Sequence, residues 1–291
     1  MSSQDAASSL NASDSNHYYL RAPDERQDKI DRLIIQAQLF SHNMRGQYVV
    51  APIDFSKPGL KILDPATPNG IALRDIKQFL KAPYELQGAY STSEFFPTEK
   101  DPSIEFVVQQ TTKPWPAQFH SRFDLIIQRM ELGSSVGISP REVVHQLCSL
   151  LAPGGWIQLC EMNLQRCDGG PALQNHTALI SALFAGAGVG NTFSKEMEGW
   201  LTDAGLVDVE VKSAKLKLGK SIEDDELLAR NSAKLSGWAT GSVAAACRAM
   251  GLKSVTAEQT SEEWEKRLED ELMEQGGANY VIFAIGRKPD A

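Results

Sequence analysis

The sequence predicts an α/β protein built on a mostly parallel seven-stranded sheet with helices on both faces, and three observations carry that expectation. From residue 60 onward, short apolar runs alternate with amphipathic stretches, as when crossover helices join parallel strands. FDLIIQ at 123–128 and WIQLCE at 156–161 are nearly continuous apolar runs, which suits strands covered on both faces. With 291 residues and 42 % hydrophobic content, the chain can bury one large core with additions, a reading preferred to two small domains.

Each element has its own signal. Residues 1–16 are rich in Ser, Asn and Asp and are expected to be disordered, with order beginning at Tyr18-Tyr19. In the segment 17–58, Ile30, Leu33, Ile34, Ala37 and Leu39/Phe40 recur at helical spacing after an acidic first turn. The core, 59–220, opens with a strand at Leu60–Asp64 and a helix at Ile71–Leu80, then strands at Tyr84–Tyr90 and Ile104–Gln109. After FDLIIQ comes a helix from Pro140 to Leu151, and Pro153-Gly154-Gly155 turns the chain into WIQLCE. Helices are expected at 171–187 and 194–204, and VDVEVKSAKLKL within 206–218 alternates with period two. Residues 221–276 hold two amphipathic helical stretches, 222–252 and 259–275, that read as a cap inserted before the last strand, Tyr280–Ile285, in the closing segment 277–291.

Composition narrows the partners. Thirty-seven acidic against 29 basic residues give a net charge of −8, which disfavours a phosphate backbone or an anionic membrane as partner. No apolar run reaches the roughly 18 residues of a membrane span, and the polar start lacks the pattern of a signal peptide. A cytoplasmic protein is expected. Cys148, Cys160, Cys167 and Cys247 form no C-x-x-C pair, and the five histidines show no H-E-x-x-H spacing, so no metal site is expected. The five tryptophans are expected to pack in core or cap.

KILDPATPNGIAL at 61–73 has the outline of a nucleotide-binding strand-loop-helix: an apolar run ending in Asp64, a short loop, and Gly70 opening a helix. Ala66 and Pro68 stand where small residues would let backbone N–H groups approach a ligand, and proline removes a donor and fixes φ. Read alone, the loop is a strand followed by a Pro-Asn-Gly turn.

Several separated motifs agree in order with a known family. FDLIIQRMELGS at 123–134 and LLAPGGWIQLCEMN at 150–163, with YYLRAPDERQDKIDRL, APID at 51–54 and the terminal GRKP, resemble the fungal secondary-metabolism methyltransferase-like family that includes LaeA-like regulators. Its fold is the class I S-adenosylmethionine-dependent methyltransferase fold, and the resemblance covers roughly residues 18–290. The resemblance implies a cofactor edge at Asp64, Ala66, Pro68, Gly70, Tyr90 and Gln128. Asp64, Gly70 and Gln128 match the family pattern. Ala66 and Pro68 replace glycines of the first loop, Tyr90 replaces the acid that accepts from ribose hydroxyls, and Ile127 stands where relatives carry a His. Tyrosine offers one hydroxyl in place of a bidentate acceptor.

Candidate catalytic residues follow. Glu161, at the end of the fifth strand, could act as acid or base if it lies beside an apolar cavity, or could equally be a solvated strand-end carboxylate. Arg129 and Glu131 leave the fourth strand and could clamp a polar substrate or pair with each other. His176 would line the substrate side in this fold and is the favoured proton-transfer histidine, with a place on a helix surface as the equal alternative.

The expected function is an enzyme of fungal natural-product biosynthesis that keeps the fold but has lost, or greatly altered, its use of S-adenosylmethionine. It would promote a cyclisation, isomerisation or pericyclic step on a small-molecule intermediate by positioning and polarising it. One alternative is a small-molecule methyltransferase that holds S-adenosylmethionine with a rearranged loop. The other is a non-catalytic partner or regulator.

Overall fold

The computed structural model of the chain describes residues 25–47, 49–99, 101–252 and 260–290. The expected disorder of 1–16 and the onset of order at Tyr18-Tyr19 lie outside the described residues. The predicted first helix is α1 (Glu25–Asn43), which buries Ala37, Leu39 and Phe40. Asn43 finishes it, donating to Leu39 O at 2.9 Å and accepting from Lys217 N–H at 2.8 Å, so a polar side chain satisfies the frayed end.

The alternation read from the sequence gives β1 (Lys61–Asp64), α2 (Ile71–Lys77), β2 (Glu85–Tyr90), β3 (Ile104–Val108) and β4 (Phe123–Arg129). There follow α3 (Pro140–Ser149), β5 (Leu151–Asp168), α4 (Pro171–Gly186), α5 (Phe193–Asp203), β6 (Val207–Leu218), α6 (Glu226–Ala249), α7 (Ser261–Gln275) and β7 (Gly277–Arg287). The seven strands lie in the order β3-β2-β1-β4-β5-β7-β6. β1 pairs in parallel with β2 and β4, β2 with β3, and β4 with β5. β7 is antiparallel, and the architecture is the class I methyltransferase fold. Parallel pairing brings the carboxyl ends of β1, β2 and β4 to one edge, where open α/β sheets bind ligands.

The largest differences from the sequence reading are at β5 and at the start of α6. β5 does not end at Glu161 but continues to Asp168. Its continuation is tied by Tyr280, whose hydroxyl donates to Asp168 Oδ2 at 2.7 Å and whose ring lies 3.7 Å from the Arg166 guanidinium. Pro153-Gly154-Gly155 falls inside this strand rather than before it, at an irregularity where the β4–β5 register shifts between Phe123 and Leu125. A Cβ on Gly155 would lie 2.6 Å from Phe123 O, so glycine is needed for the strands to approach there. The second difference is at 222–225, which is not helical. Asp225 caps α6 instead, its Oδ1 accepting from Leu228 N–H at 2.9 Å.

The chain divides into two compact units. One comprises Met1–Gly46, Met162–Thr192 and Ala214–Val281. Its core joins Leu173, Leu218, Ala233, Leu268 and Leu272, and it contains both helices of the segment expected as a cap. There α6 and α7 pack closely, for a Cβ on Gly237 would stand 2.7 Å from Glu265 O. The other comprises Gln47–Glu161, Phe193–Ser213 and Ile282–Ala291. Its core includes Ile62, Leu63, Leu125, Ile126, Val143 and Leu147, all fully buried. α3 is set by a capping box between Ser139 and Glu142 with Pro140 at its first turn. No helix among the described residues is long and apolar enough to cross a membrane.

Candidate active site

The loop after β1 holds its tight shape without glycines at 66 and 68. Asp64 Oδ1 accepts from Ala66 N–H at 3.2 Å, and the Asp64 carboxyl is also bonded by the Thr67 side chain. Thr67 Oγ1 in turn accepts from Gly70 N–H at 2.9 Å, while Thr67 N–H donates to Ala89 O of β2 at 2.9 Å. Asn69 Oδ1 takes Ile71 N–H at 3.2 Å. Gly70 adopts φ 68°, and a Cβ there would meet the Phe106 ring at 2.7 Å. Glycine is therefore required at 70 on both conformational and steric grounds. Burial pushes the Asp64 carboxyl up to about 6, against the Arg129 charge and the two loop donors, which pull it down.

At the end of β2 the wall is aromatic. Tyr90 meets Phe95 edge-on at 5.9 Å between centroids, and Phe96 lies 5.1 Å from Phe106. Such offset pairs add specific packing to apolar burial. The Thr67 methyl and the Phe106 ring close over Gly88, leaving no room for a Cβ. Ile127 of β4 is 6 % exposed, an apolar core residue at a position where the family resemblance implied a polar one.

Glu161 has the most elaborate surroundings. Its Oε1 accepts from Gln128 Nε2 at 2.7 Å, Leu132 N–H at 2.8 Å and Glu131 N–H at 2.9 Å. The two backbone donors converge because Met130 takes φ 54°, in the left-handed region, and Glu131 follows at φ −118°, ψ −20°. Successive left- and right-handed residues make a concave nest of N–H groups suited to an anion, and here the anion is the protein's own carboxylate. Met130 N–H donates to Cys160 O at 2.9 Å, which fixes the turn against β5. The left-handed backbone of a non-glycine residue costs on the order of 1 kcal/mol. Burial pushes the Glu161 carboxyl up to about 7, although all three donors pull the other way.

The structure thus brings together Asp64, Ala66, Pro68, Gly70, Tyr90, Gln128, Arg129, Glu131 and Glu161 in one unit, on β1, β2, β4, β5 and the adjoining loops. Glu131 contributes its backbone N–H to the carboxylate nest. His176 belongs to the other unit, where it is buried on α4 rather than set on a helix surface. Its Nδ1 lies 2.7 Å from Thr240 Oγ1, and that hydroxyl donates to Ser236 O at 2.8 Å. A hydroxyl has one proton to give, so His176 is the donor through Nδ1–H and Nε2 carries the lone pair. Burial holds its pKa down at about 4.

Sequence reasoning missed Thr67, Met130 and Leu132. Thr67 was detectable, since Asp64, Thr67 and Gly70 stand three apart in one loop. No residue pattern signals the left-handed turn at Met130.

No protein-family model matches the chain. Among curated relatives, methyltransferase psoC of Aspergillus fumigatus is 32 % identical over 263 residues, covering 90 % of this chain and 95 % of that protein. N-methyltransferase gliN of the same species is 28 % identical over 220 residues, 74 % of this chain and 77 % of its own. N-methyltransferase sirN of Leptosphaeria maculans is 33 % identical over 186 residues, 62 % and 65 % of the two chains. Among solved structures, a chain in the complex of the Haloferax volcanii Trm112 methyltransferase activator with a methyltransferase superposes with a TM-score of 0.52 at 14 % identity. That match covers 93 % of this chain and 99 % of the other, a likeness of fold. With nearly the whole length of psoC matched at this identity, the chain belongs to the fungal methyltransferase family that contains psoC.

Proposed function

We propose that the protein is an S-adenosylmethionine-dependent methyltransferase that acts on a nitrogen of a small natural-product intermediate. The observation that carries this reading is its kinship with psoC along almost the full length, joined by relatives named as N-methyltransferases. It replaces the expectation of a cofactor-free cyclisation or isomerisation, which rested on Ala66, Pro68, Tyr90 and Ile127. The loop geometry removes much of that expectation's force, because the Asp64–Thr67–Gly70 bonds keep the turn tight where glycines are missing.

The chemistry of the site fits the cofactor. Ala66, Thr67, Gly70 and Ile71 N–H groups are already engaged, so the loop would offer shape and contact rather than donors. Asp64 and the Tyr90 hydroxyl would supply polar contacts at neighbouring strand ends, with Gln128 between them and Glu161. When bound, S-adenosylmethionine supplies an electrophilic methyl group and keeps the C–S electron pair on sulfur. The protein's part is to hold the nucleophile in line and exclude water, which can supply about 7 kcal/mol or more of barrier reduction.

Calorimetric titration with S-adenosylmethionine and S-adenosylhomocysteine tests the cofactor, and transfer of a labelled methyl group into the small-molecule extract of a strain lacking the gene tests the reaction. Binding with labelled product is expected. Failure to bind either compound at millimolar concentration would overturn the reading and return weight to cofactor-free chemistry.

A further inference from the structure

We propose that Glu161 is the catalytic proton acceptor for the substrate nitrogen, taking through Oε2 the proton that N-methylation releases. The inference rests on the reading above and adds a residue, a role and a substrate class to it: a neutral amine or amide that presents an N–H.

Three features support it. Oε1 is held by three donors, from Gln128 Nε2 and the N–H groups of Glu131 and Leu132. Proton uptake is thereby directed to Oε2, which has no hydrogen-bond partner among the described residues. The nest is also rigid, since it is formed by a left-handed Met130 and tied to Cys160 O. Finally, Gln128 Oε1 and Ser135 Oγ, on either side of the same turn in sequence, are buried without hydrogen-bond partners among the described residues, their residues 1 % and 2 % exposed. Orphaned buried acceptors are costly unless a ligand or water meets them, and these would accept from the N–H groups of an amine or amide.

The step balances. The nitrogen lone pair would form the new N–C bond as the methyl C–S bond breaks and its pair stays on sulfur; the N–H bond pair would return to nitrogen as its proton forms an O–H bond at Glu161 Oε2. A base must be ionised yet able to hold a proton near the working pH. Burial places Glu161 at about 7, with opposition only from its three donors; no charged side chain contributes to that shift, and the neighbouring Cys160 thiol is itself held far above neutral by burial.

The full chain as wild type, Glu161→Gln and Glu161→Asp tests the role in two ways. Carboxyl-carbon NMR of glutamate-labelled protein should show one resonance with a midpoint near pH 7 that is absent from E161Q. Labelled-methyl transfer into the deletion-strain extract should fall roughly 100-fold or more in E161Q, with partial rescue in E161D. The wild-type rate should rise with pH through that midpoint, and the residual E161Q rate should not. S-adenosylhomocysteine affinity should stay near wild type, and so should the melting curve at pH 4.5, where the folded carboxyl holds its proton; this separates the role from a folding defect. A Glu161 midpoint near the ordinary carboxylate value, or wild-type transfer by E161Q, would overturn the inference while leaving the methyltransferase reading intact. Cofactor binding without transfer by wild type would overturn both.

Discussion

Thr67 Oγ1 accepts the Gly70 N–H at 2.9 Å while its side chain also bonds the buried Asp64 carboxyl. One hydroxyl therefore links the last residue of β1 to the residue that opens α2. The turn holds its shape with Ala66 and Pro68 in it because these hydrogen bonds close within the loop.

Thr67→Val keeps the shape and the methyl contact over Gly88 but removes that link. A buried Gly70 N–H would lose its acceptor, which costs about 1–3 kcal/mol. Urea unfolding should show T67V less stable by that amount and Thr67→Ser close to wild type. Equal stability of T67V and wild type would mean that the loop bonds are replaceable by water.

Gly70→Ala should destabilise by about 1–3 kcal/mol, because it adds a Cβ at φ 68° and at 2.7 Å from the Phe106 ring. The two causes can be separated. Phe106→Ala should relieve the collision but not the backbone strain, so the double mutant should lose less than the two single losses combined. Full additivity in the unfolding cycle would show that the ring moves aside without cost.

The legible part of the fold was the part governed by apolar periodicity. β4 was visible because FDLIIQ is a local signal, and α3 because its helical stretch from Pro140 follows that run. The far half of β5 was not, since MNLQRCD has weak alternation and is held by Tyr280, more than 100 residues away. In the candidate site, Asp64 and Glu161 were named from their places at strand ends and Gln128 from the family resemblance. The nest that fixes Glu161 could not be, because it depends on backbone angles at Met130 and Glu131 that their side chains do not encode.

Glu271 of α7 caps α4 from a distance in sequence. Its two carboxylate oxygens accept from Ala172 N–H at 2.8 Å and Leu173 N–H at 2.9 Å, at the positive end of the helix dipole. Glu271→Ala should therefore cost about 1–2 kcal/mol, and Glu271→Gln, which keeps one acceptor, less. Hydrogen exchange at Ala172 and Leu173 should rise in E271A, and unchanged exchange there would refute the cap.

Glu161 and His176 should drive the pH dependence of stability in opposite directions. Glu161 holds its proton to about 7 when folded, against an ordinary value of 4.5 for a glutamate carboxyl. Between those values the native state binds more protons, so stability is fully present below the lower one and falls as pH rises. Asp64, raised from 3.8 to about 6, acts with the same sign. His176 is lowered from 6.5 to about 4; there the unfolded chain binds more protons, and stability falls as pH drops. Each shift corresponds to on the order of 3 kcal/mol at most. From pH 4.5 to 7.5, urea unfolding of E161Q should therefore lose less stability than wild type, by up to about that amount. His176→Asn, whose amide can still donate to Thr240, should lose more than wild type over the same range. Parallel curves for E161Q and wild type would mean that Glu161 is already ionised in the folded protein at pH 4.5.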